Sequence, residues 1–586
     1  MMKNSVLFKF LRTESNLFLV VCYIGIGVVT DLFLLSFPVV IYYLFEINQF
    51  NAWIFCLFVG MIAMRLLLAH FQKKLDIKLF SYRYLQIPVI GEKILNQSIE
   101  FIDSYAGKNK IEQAYQAIYQ GGNAGIEFYC KQWINLMRYF LDILIIFIIS
   151  VKYMNGYFLL AVLGLTIASS GVKVYFKNRM KELQKQDSVR RLEERYLTKT
   201  FLDTLSQREL RLFQMRPWFE SKINKTLQAK KHYIQKANQV ELVLSVVNTV
   251  ILGLYIVIIY FACLQLVELN GVAWHLYLVV LLLLQLQVYA QNFHNTVQAI
   301  LSNVKYIQDW VNFMESEESE SHHFASCPAV IETIEFKNIV YQNPESNATI
   351  LNNISFTLRR GESTALLGLN GSGKTTLIKL LVGLLKPTSG TILVNGEEKE
   401  LYQNKNWYAQ MGVTFQENSL FEGAIAENIV CGQEIDDAKI MKSLAQVGLS
   451  DFVESKQAGY HTYIGNELNK EGILLSGGET QRLQIARMLY KPHQVAILDE
   501  PTASMDPINE FKFYHLLTEH VKDKISIFVS HRIGSTDFCD QIMILTNGEI
   551  EAKGTPAELA ANSVTYQAMI EAYRYYMYEK EGESDA

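Results

Sequence analysis

The stretch Gly368-Leu369-Asn370-Gly371-Ser372-Gly373-Lys374-Thr375-Thr376 has the form G-x-x-x-x-G-K-T, which is typical of a phosphate-binding P-loop. Glycines in such a loop let the backbone bend until several N–H groups converge on phosphate oxygens, and the following helix adds its positive N-terminal end. The flanking residues fit this interpretation, because Ser363–Gly368 has the pattern of a buried strand and Thr376–Val382 that of a helix. The sequence therefore predicts that Lys374 binds phosphate and that Thr375 holds Mg²⁺.

The composition indicates a chain with a membrane part and a soluble part. Its 586 residues are too many for one domain and suggest two or three. Hydrophobic residues make up 50% and charged residues 19%, and the mean hydropathy is +0.11. The net charge is −4, whereas a nucleic-acid-binding protein needs a basic surface, so no nucleic-acid partner is expected. The seven scattered cysteines form no C-x-x-C pair and indicate neither a disulfide framework nor a zinc site.

The N-terminal half contains six apolar stretches that are long enough to be transmembrane helices, so a lipid bilayer is an expected partner. A signal peptide is the alternative for the first stretch. That stretch runs well beyond the apolar core of a signal peptide, which is about 7–15 residues, and a transmembrane helix is therefore favoured. The predicted spans are Leu17–Leu44, Ala52–His70, Trp133–Val151, Tyr157–Phe176, Leu242–Val267 and Val272–Asn292.

The connections between these spans predict their orientation. Three connections are short and contain one basic residue, Lys152, whereas the segments after the second and fourth spans each run about sixty residues and are rich in Lys and Arg. The positive-inside rule places these long segments and both chain termini in the cytoplasm. Each long segment contains a stretch that mixes aromatic and charged residues, as a docking surface does: Ser98–Ala106 in the first, and Glu209–Phe213 with Trp218 and Phe219 in the second.

Polar side chains inside the predicted spans are costly unless they are paired or face water. For Asp31, Arg65 and Asp142, either pairing within the helix bundle or lining of a substrate path would explain their presence. In the last span, polar residues recur at positions that share one helix face. Hydrogen bonding between helices or a water-filled cavity open to the cytoplasm would explain this polar stripe, and five residues in register favour the cavity. The polar stripe consists of Gln287, Gln291, His294, Asn295 and Gln298.

An acidic, serine-rich segment separates the two halves. We predict a transmembrane domain over residues 1–314, a linker over 315–327 and a nucleotide-binding domain over 328–586. In the last of these, Leu475–Glu479 places a serine and two glycines at the start of a helix, where they would form either an anion-binding site or an ordinary N-cap. Asp499 and Glu500 end an apolar strand, where they suit a Mg²⁺ ligand and a general base.

The ordered set of motifs resembles the nucleotide-binding domain of the ATP-binding cassette (ABC) family. Six preceding spans with two long cytosolic segments resemble the exporter-type half-transporters, so the resemblance covers nearly the whole chain. The predicted fold is multidomain: a six-helix α-helical transmembrane domain of the ABC exporter type, followed by an α/β P-loop NTPase domain. The motifs that carry the resemblance are Gly368–Thr376, Gln416, Leu475–Glu479, Asp499–Glu500, Ala503–Asp506 and Ser530-His531-Arg532.

The resemblance implies two cofactors, ATP and Mg²⁺, and a role for each motif. Each ATP would bind between the P-loop of one subunit and the Leu475–Glu479 segment of a second, so the chain would be active only as a dimer. The implied catalytic residues are Glu500 as the base, His531 as the switch histidine and Gln416. The implied Mg²⁺ ligands are Thr375, Gln416 and Asp499. The implied ATP-binding residues are Tyr341, Gly368, Asn370, Gly371, Ser372, Gly373, Lys374, Thr375, Thr376, Ser476, Gly477, Gly478 and Glu479.

Three features depart from the family pattern, of which the order Ala503-Ser504 in place of Ser-Ala has no expected consequence. Glu479 stands where Gln is commonest, although the Ser-Gly-Gly core before it is intact. Asn343 stands where an adenine-stacking aromatic residue usually lies. Tyr341 is two residues earlier and on the same face of a strand, and we therefore predict that Tyr341 stacks on adenine instead.

The predicted function is ATP-driven export of a peptide, or of another amphipathic or hydrophilic small molecule, across a bacterial plasma membrane. The assignment of a peptide substrate depends on the stretch Glu209–Phe213 with Trp218 and Phe219. This stretch is similar to the corresponding stretch of exporters from peptide-antibiotic gene clusters. The alternatives are an ATP-cycling membrane sensor or resistance module, and a lipid or multidrug exporter; six spans argue against a soluble ATPase that acts on DNA. The predicted partner is a second half-transporter. Every catalytic position is filled, so the chain could form a homodimer or be the competent half of a heterodimer, and the homodimer is favoured.

Overall fold

The structure is a computed structural model that describes residues 5–46, 51–119, 124–153, 156–268, 273–316, 327–402, 404–416, 420–500, 507–530 and 538–572. The chain forms two compact units. The first comprises Met1–Gly91 and Lys110–Glu315, and the second comprises Glu92–Asn109 and Ser316–Ala586. Most of the predicted linker, the Ala503–Asp506 motif and His531 lie outside the described residues.

Helices make up the described part of the chain from Ser5 to Glu315. Two of them, α8 and α10, contain 47 and 53 residues, which at about 1.5 Å per residue far exceeds the roughly 30 Å thickness of a bilayer core. The long segment after the fourth predicted span is thus largely helical. The segment after the second span is helical too, since it contains the end of α3 and helices α4 to α6. The helices are α1 Ser5–Leu11, α2 Glu14–Glu46, α3 Asn51–Tyr84, α4 Gln86–Leu95, α5 Ile99–Asp103, α6 Tyr105–Tyr119, α7 Ile126–Tyr153, α8 Gly156–Leu202, α9 Thr204–Leu212, α10 Arg216–Glu268 and α11 Ala273–Glu315.

Within the described residues, five helical segments are long and apolar enough to cross a membrane. They overlap the first five predicted spans. The sixth predicted span, Val272–Asn292, lies mainly in α11 and begins outside the described residues. The five segments are Glu14–Leu34, Phe55–Leu95, Ile126–Val151, Leu160–Met180 and Arg216–Ala262.

The helices of the first unit pack in pairs, and a group of buried charges lies between two of them. Helix α2 packs on α3, α7 on α11, and α8 on α10. Arg138 of α7 donates from Nη2 to Oδ2 of Asp31 on α2 at 2.7 Å, and its Nε lies 3.7 Å from Oδ2 of Asp142. The guanidinium crosses α2 at Gly27, where an added Cβ would lie 2.5 Å from Arg138 Nε. We call Asp31, Arg138 and Asp142 the membrane-domain charge cluster.

Asp31 is therefore paired with Arg138 inside the helix bundle. This agrees with the first of the two hypotheses for Asp31, pairing within the bundle. Asp142 is almost fully buried, with a side chain 2% exposed, and it shares the same guanidinium. Arg65 differs from both, because its side chain is exposed on α3.

The second unit contains two larger sheets within its described residues. One has the strand order β2-β1-β4-β5, and the other has the order β12-β11-β3-β10-β9-β6. In the six-stranded sheet all neighbours pair in parallel except β11 with β12. The strands are β1 Thr333–Gln342, β2 Thr349–Arg359, β3 Ser363–Leu367, β4 Ser389–Val394, β5 Glu397–Glu398, β6 Met411–Thr414, β7 Gly423–Ala424, β8 Tyr463–Ile464, β9 Val495–Asp499, β10 Ile525–Val529, β11 Gln541–Thr546 and β12 Glu549–Gly554.

The six-stranded sheet is covered on both faces, by helices and by the four-stranded sheet. Its central strands are continuously apolar for that reason. On β9, Ala496 and Leu498 join one buried cluster, whereas Val495 and Ile497 join another on the opposite face. From Ser316 onward, the described helices of this unit are α12 Lys374–Val382, α13 Lys405–Ala409, α14 Ile425–Val430, α15 Asp437–Gln446, α16 Ser450–Glu454, α17 Gly477–Tyr490, α18 Pro507–Val521 and α19 Pro556–Asn562.

Candidate active site

The predicted site residues of the second unit gather at one edge of the six-stranded sheet. Strands β3, β10, β9 and β6 are parallel neighbours, so their carboxyl ends lie side by side. The P-loop leaves β3, Asp499 ends β9, and Gln416 follows β6. Val529, the last residue of β10, pairs with Leu366 near the end of β3 and with Asp499 at the end of β9, so the three strands end at nearly the same level. We call this arrangement the catalytic edge.

The P-loop connects β3 to α12 in the way that the sequence predicts. Gly371 and Gly373 have φ values of +81° and +104°, which residues with a side chain rarely adopt. At Gly368 an added Cβ would lie 2.4 Å from the carbonyl oxygen of Leu545, so only glycine fits. Helix α12 begins at Lys374 with Gly373 as its N-cap, and no side chain caps it. Its first N–H groups are therefore available to an anion.

Lys374 is a buried cation that bonds to its own loop. Its Nζ donates to the carbonyl oxygens of Gly368 and Leu369 at 2.7 and 3.1 Å. Burial lowers the pKa of Lys374, and the nearby charges of Glu500 and Asp499 oppose that shift. Beside it, Ser372 is buried and its Oγ has no hydrogen-bond partner among the described residues. The loop therefore holds a cation and a polar atom that a phosphate would satisfy.

Asp499 and Glu500 lie together at the end of β9 but differ in their surroundings. Asp499 is buried, and its Oδ2 has no hydrogen-bond partner among the described residues. Burial and the adjacent charge of Glu500 raise the pKa of Asp499 to about 6. Glu500 accepts a hydrogen bond from Gln416 Nε2 at its Oε2, at 2.9 Å. Two carboxylates with an amide on one of them is an arrangement that can hold a cation and orient a water molecule.

The donor set also fits Mg²⁺ when its usual mode of binding is considered. Mg²⁺ is commonly held by one or two carboxylates together with substrate phosphates and water. The buried, unpartnered Oδ2 of Asp499 is one oxygen of this kind, and the hydroxyl of Thr375 lies on an exposed residue in the first turn of α12. Mg²⁺ would neutralise charge that develops on the phosphates, with Asp499, Thr375 and Gln416 as its predicted protein ligands.

Gln481 is a residue of the catalytic edge that sequence reasoning missed. It lies on α17 and is buried, and its Nε2 donates to the carbonyl oxygen of Glu500 at 2.7 Å. Glu500 has a φ of +50°, which is uncommon for a residue with a side chain, so a bond that fixes its carbonyl helps to hold this conformation. The only sequence signal was its position two residues after the Leu475–Glu479 motif.

The Leu475–Glu479 motif begins α17 with a complete capping box. Ser476 is the N-cap, and its Oγ accepts from the backbone N–H of Glu479 at 3.3 Å. Glu479 Oε2 accepts in return from the backbone N–H of Ser476 at 2.8 Å. The N-cap role is thus present, and it does not compete with anion binding, because Ser476 and Gly477 are exposed. Glutamate at position 479 keeps the reciprocal bond that this box requires.

Tyr341, the predicted adenine-stacking residue, lies in a buried setting. Its side chain is 5% exposed, and its hydroxyl donates to Glu100 Oε1 at 2.8 Å. Burial and this hydrogen bond raise the pKa of Tyr341. Asn343, at the usual aromatic position, instead accepts from the backbone N–H groups of Glu345 and Ser346 and closes a turn. Stacking by Tyr341 stays a prediction, and it requires the ring to leave its present contact.

The first docking stretch of the sequence analysis contains the partner of Tyr341. Helix α5, capped by Ser98, belongs to the second unit and carries Glu100. Nearby, the backbone N–H of Tyr105 donates to Glu345 Oε1 at 3.1 Å. The segment 92–109 is thus hydrogen-bonded to β1 and to the turn that follows it.

Comparison with known proteins identifies the domain that carries this edge. Residues 351–503 match the family model described as ABC transporter. The chain carries an ABC transporter domain. This domain implies ATP binding, in agreement with the geometry of the P-loop.

The relatives that this chain is similar to include two proteins of Bacillus subtilis. The "Glutathione/L-cysteine transport system ATP-binding/permease protein CydD" is 37% identical over 238 residues, which is 40% of this chain and 40% of the relative. The "Subtilin transport ATP-binding protein SpaT" is 31% identical over 293 residues, which is 49% of this chain and 48% of the relative. The chain thus spans less than half the length of each of these two relatives.

A solved structure matches nearly the whole chain. It is described as a bacterial Atm1-family ABC exporter with ATP bound, and the match has a TM-score of 0.73 and covers 95% of this chain and 98% of the other at 19% identity. The fold class predicted from the sequence, a helical domain with several apolar helices before a P-loop ATP-binding cassette domain, is therefore confirmed.

Proposed function

We propose that this chain is one half of an ATP-driven exporter, which hydrolyses ATP at its catalytic edge and moves a peptide or another polar substrate across a bacterial plasma membrane. The observation that carries this proposal is the catalytic edge itself. A buried lysine, a carboxylate with an unpartnered oxygen and an amide-bonded glutamate meet beside a P-loop, in a chain whose described residues include five apolar helices long enough to span a membrane.

Each residue of the edge has a task in this proposal. Lys374 exchanges its carbonyl contacts for phosphate oxygens, and the N–H groups at the start of α12 bind the same phosphates. Glu500 accepts a proton from the attacking water, while Gln416 orients its carboxylate. His531 is the predicted switch residue at the γ-phosphate. ATP would supply the driving force, and Asp499, Thr375 and Gln416 would hold the Mg²⁺ that accompanies it.

A second subunit is part of the proposal because Ser476 at the start of α17 is exposed, and the capping box makes no hydrogen bond to the P-loop of its own chain among the described residues. We assign Ser476, Gly477, Gly478 and Glu479 to the ATP on the partner's P-loop. The second docking stretch is also exposed on this chain: Leu212 and Phe213 are 76% and 67% exposed. Apolar side chains this open are typical of a surface that a partner covers. The favoured partner is a second copy of this chain.

A complementation experiment tests both the ATP site and the dimer. Lys374→Met removes the phosphate-binding cation, and Ser476→Arg blocks the helix start that would meet the partner's ATP. In full-length protein in lipid nanodiscs, each variant alone should lose ATP hydrolysis by at least about a hundredfold. When the two are co-expressed, mixed dimers contain one site with both parts intact, so activity should return. Recovery also shows that neither variant fails to fold.

The controls decide between outcomes. Glu519→Gln, at an exposed position on α18, should leave hydrolysis unchanged. Co-expressed variants that stay inactive would exclude a site shared between subunits, and a fully active Lys374→Met variant would exclude the catalytic edge.

A transport experiment separates an exporter from a sensor. In an exporter, ATP-dependent accumulation of a labelled peptide mixture in inside-out proteoliposomes should accompany ATP hydrolysis. Hydrolysis that the peptides stimulate without accumulation would favour the sensor.

A further inference from the structure

A polar cavity of about 40 Å³ lies between three helices of the first unit. This exceeds the roughly 10–15 Å³ that one water molecule needs, so the cavity can admit a small polar group such as a carboxylate. Three residues of the polar stripe, Gln287, Gln291 and His294, line it from α11. The full lining is Thr166, Ser169, Ser170 and Lys173 from α8, Asn248, Ile251 and Tyr255 from α10, and Gln287, Ala290, Gln291 and His294 from α11.

The polar residues of the cavity are placed by helical spacing on each wall. On α8 they recur at intervals of three and four residues from Thr166 to Lys173, so they share one face. Asn248, Ile251 and Tyr255 on α10 follow the same rule. A face of this kind on each of three neighbouring helices is more than one interhelical hydrogen bond needs, and it supports a ligand site.

The charge of the cavity is positive. Lys173 is its cation, and none of the eleven lining residues is acidic. Within the described residues, no hydrogen bond or ion pair engages Lys173, and the Nε2 of His294 is buried without a partner. An unpaired cation within a membrane-spanning helix is costly and therefore marks a functional position.

Lys177, one turn further along α8, provides an internal comparison. Its Nζ donates to the carbonyl oxygen and to Oε1 of Gln298 on α11, at 2.8 and 3.1 Å. Gln298 is the polar-stripe residue that binds across to α8 and does not line the cavity. Of two lysines on similar faces of one helix, Lys177 is therefore satisfied by the protein, and Lys173 is left for a ligand.

We infer that this cavity binds the carboxylate of a polar substrate, with Lys173 as its counter-ion and the side-chain amides of Gln287, Gln291 and Asn248 bonding to peptide groups beside it. The inference rests on the proposed function, since it names the substrate class of the same exporter. Amides favour a peptide-like ligand over a simple anion, because each amide offers a donor and an acceptor to a group that carries both.

Binding of tri-alanine to the full-length protein tests the inference. Radiolabelled tri-alanine with a free C-terminal carboxylate is compared with its C-terminal amide, without nucleotide, in phosphatidylcholine nanodiscs. The free acid should bind at least about tenfold more tightly. Lys173→Met should bring the acid to the level of the amide, Lys173→Arg should keep the preference, and Lys177→Met should affect both peptides equally. The Arg variant separates loss of charge from loss of fold.

Three results would overturn the inference. One is equal binding of the two peptides, including binding of neither; another is an acid preference that survives Lys173→Met. The third concerns a lipid phosphate: if phosphatidylglycerol in the nanodisc competes with tri-alanine in the unmodified protein but not in Lys173→Met, the anion is a lipid headgroup and the substrate assignment is wrong. Because no nucleotide is present, these results are independent of ATP hydrolysis. An inactive catalytic edge would leave them unchanged.

Discussion

Two buried groups of charges in this chain have the same composition and different states of pairing. Each contains two carboxylates and one cation: Asp31, Asp142 and Arg138 in the membrane-domain charge cluster, and Asp499, Glu500 and Lys374 at the catalytic edge. In the first, the cation donates directly to a carboxylate at 2.7 Å. In the second, the cation donates to backbone carbonyls, and no ion pair within the described residues joins it to either carboxylate.

The difference shows what each group is prepared for. A buried ion pair satisfies its own charges and fixes the position of two helices, here α2 and α7. Carboxylates and a cation that are held apart in a buried setting are stable only as long as something else satisfies them. ATP with Mg²⁺ carries both signs of charge, and it suits the catalytic edge for that reason. Structural and functional charge clusters can thus be distinguished by pairing even where their composition is the same.

The comparison predicts that breaking the paired cluster costs stability. Arg138→Met leaves Asp31 and Asp142 buried without a cation, and the loss should be about 3 kcal/mol, because an unpaired buried charge is the main cost. Thermal unfolding of the full-length protein in detergent measures this. Adding Asp31→Asn to Arg138→Met should restore much of the loss, since one of the two charges is then removed.

An exposed ion pair provides the control for this experiment. Arg179 and Glu182 on α8 form a pair at 3.1 Å, and their side chains are more than half exposed. Arg179→Met should change stability by less than about 0.5 kcal/mol. Equal effects of Arg138→Met and Arg179→Met would mean that the membrane-domain charge cluster is not a structural ion pair.

Sequence reasoning succeeded where neighbouring residues determine the geometry. The P-loop and the Asp499-Glu500 pair are contiguous in the chain, and the strand or helix beside each can be predicted from apolar pattern alone. Strand order was not needed to recognise these parts, although it is strand order that brings Gln416 to within 2.9 Å of Glu500.

The missed contacts join residues that are far apart in sequence. Asp31 and Asp142 were noticed as polar residues within spans, but their partner Arg138, which is 107 residues from Asp31, was not. Gly27 has no side chain and so leaves space for the guanidinium of Arg138, but this contact depends on how α2 and α7 cross. The sequence around Gly27 does not show how the two helices cross. Similarly, the bond between Tyr341 and Glu100 joins residues 241 apart, so burial of the tyrosine ring was not expected.

A second prediction concerns how the catalytic edge keeps Glu500 in place. Gln481→Leu removes the hydrogen bond to the Glu500 carbonyl, so the carboxylate should be less well oriented and kcat for ATP hydrolysis should fall about tenfold. KM for ATP should change little, because Gln481 acts through Glu500 and makes no hydrogen bond to the P-loop among the described residues. Steady-state kinetics of the full-length protein separate the two parameters.

The matched control is another buried glutamine of α17. Gln484→Leu replaces the same chemical group three residues further along, where no hydrogen bond to Glu500 is present. Its kcat should stay within about twofold of the unmodified protein. If both variants lower kcat alike, the packing of α17 explains the loss, and Gln481 is not a positioning residue.

The smallest predicted effect comes from a third buried group, which is basic and is satisfied without any ligand. His493 Nδ1 lies 2.7 Å from the carbonyl oxygen of Lys491, and Nε2 lies 3.0 Å from Lys524 Nζ. A carbonyl only accepts and an ammonium only donates, so Nδ1 must carry the proton and Nε2 must be the acceptor. Burial lowers the pKa of His493 to about 4, and the charges of Lys524, His520 and Lys491 contribute to the lowering.

The sign of the pH dependence follows from this lowered pKa. In the unfolded chain His493 takes up a proton near its ordinary pKa of about 6.5, whereas in the folded chain it stays neutral down to about pH 4. Its contribution to stability is therefore complete above about pH 6.5 and is lost as the pH falls towards 4. We expect the unfolding temperature of the full-length protein to drop between pH 7.5 and about pH 5.8, by the equivalent of about 1 kcal/mol from this residue. His493→Gln should reduce the drop, and His461→Gln, at an exposed position, should leave it unchanged. A drop of the same size in His493→Gln would assign the pH dependence to other groups, such as His520, whose ring centre lies 6.1 Å from that of His493 and whose pKa burial also lowers to about 4.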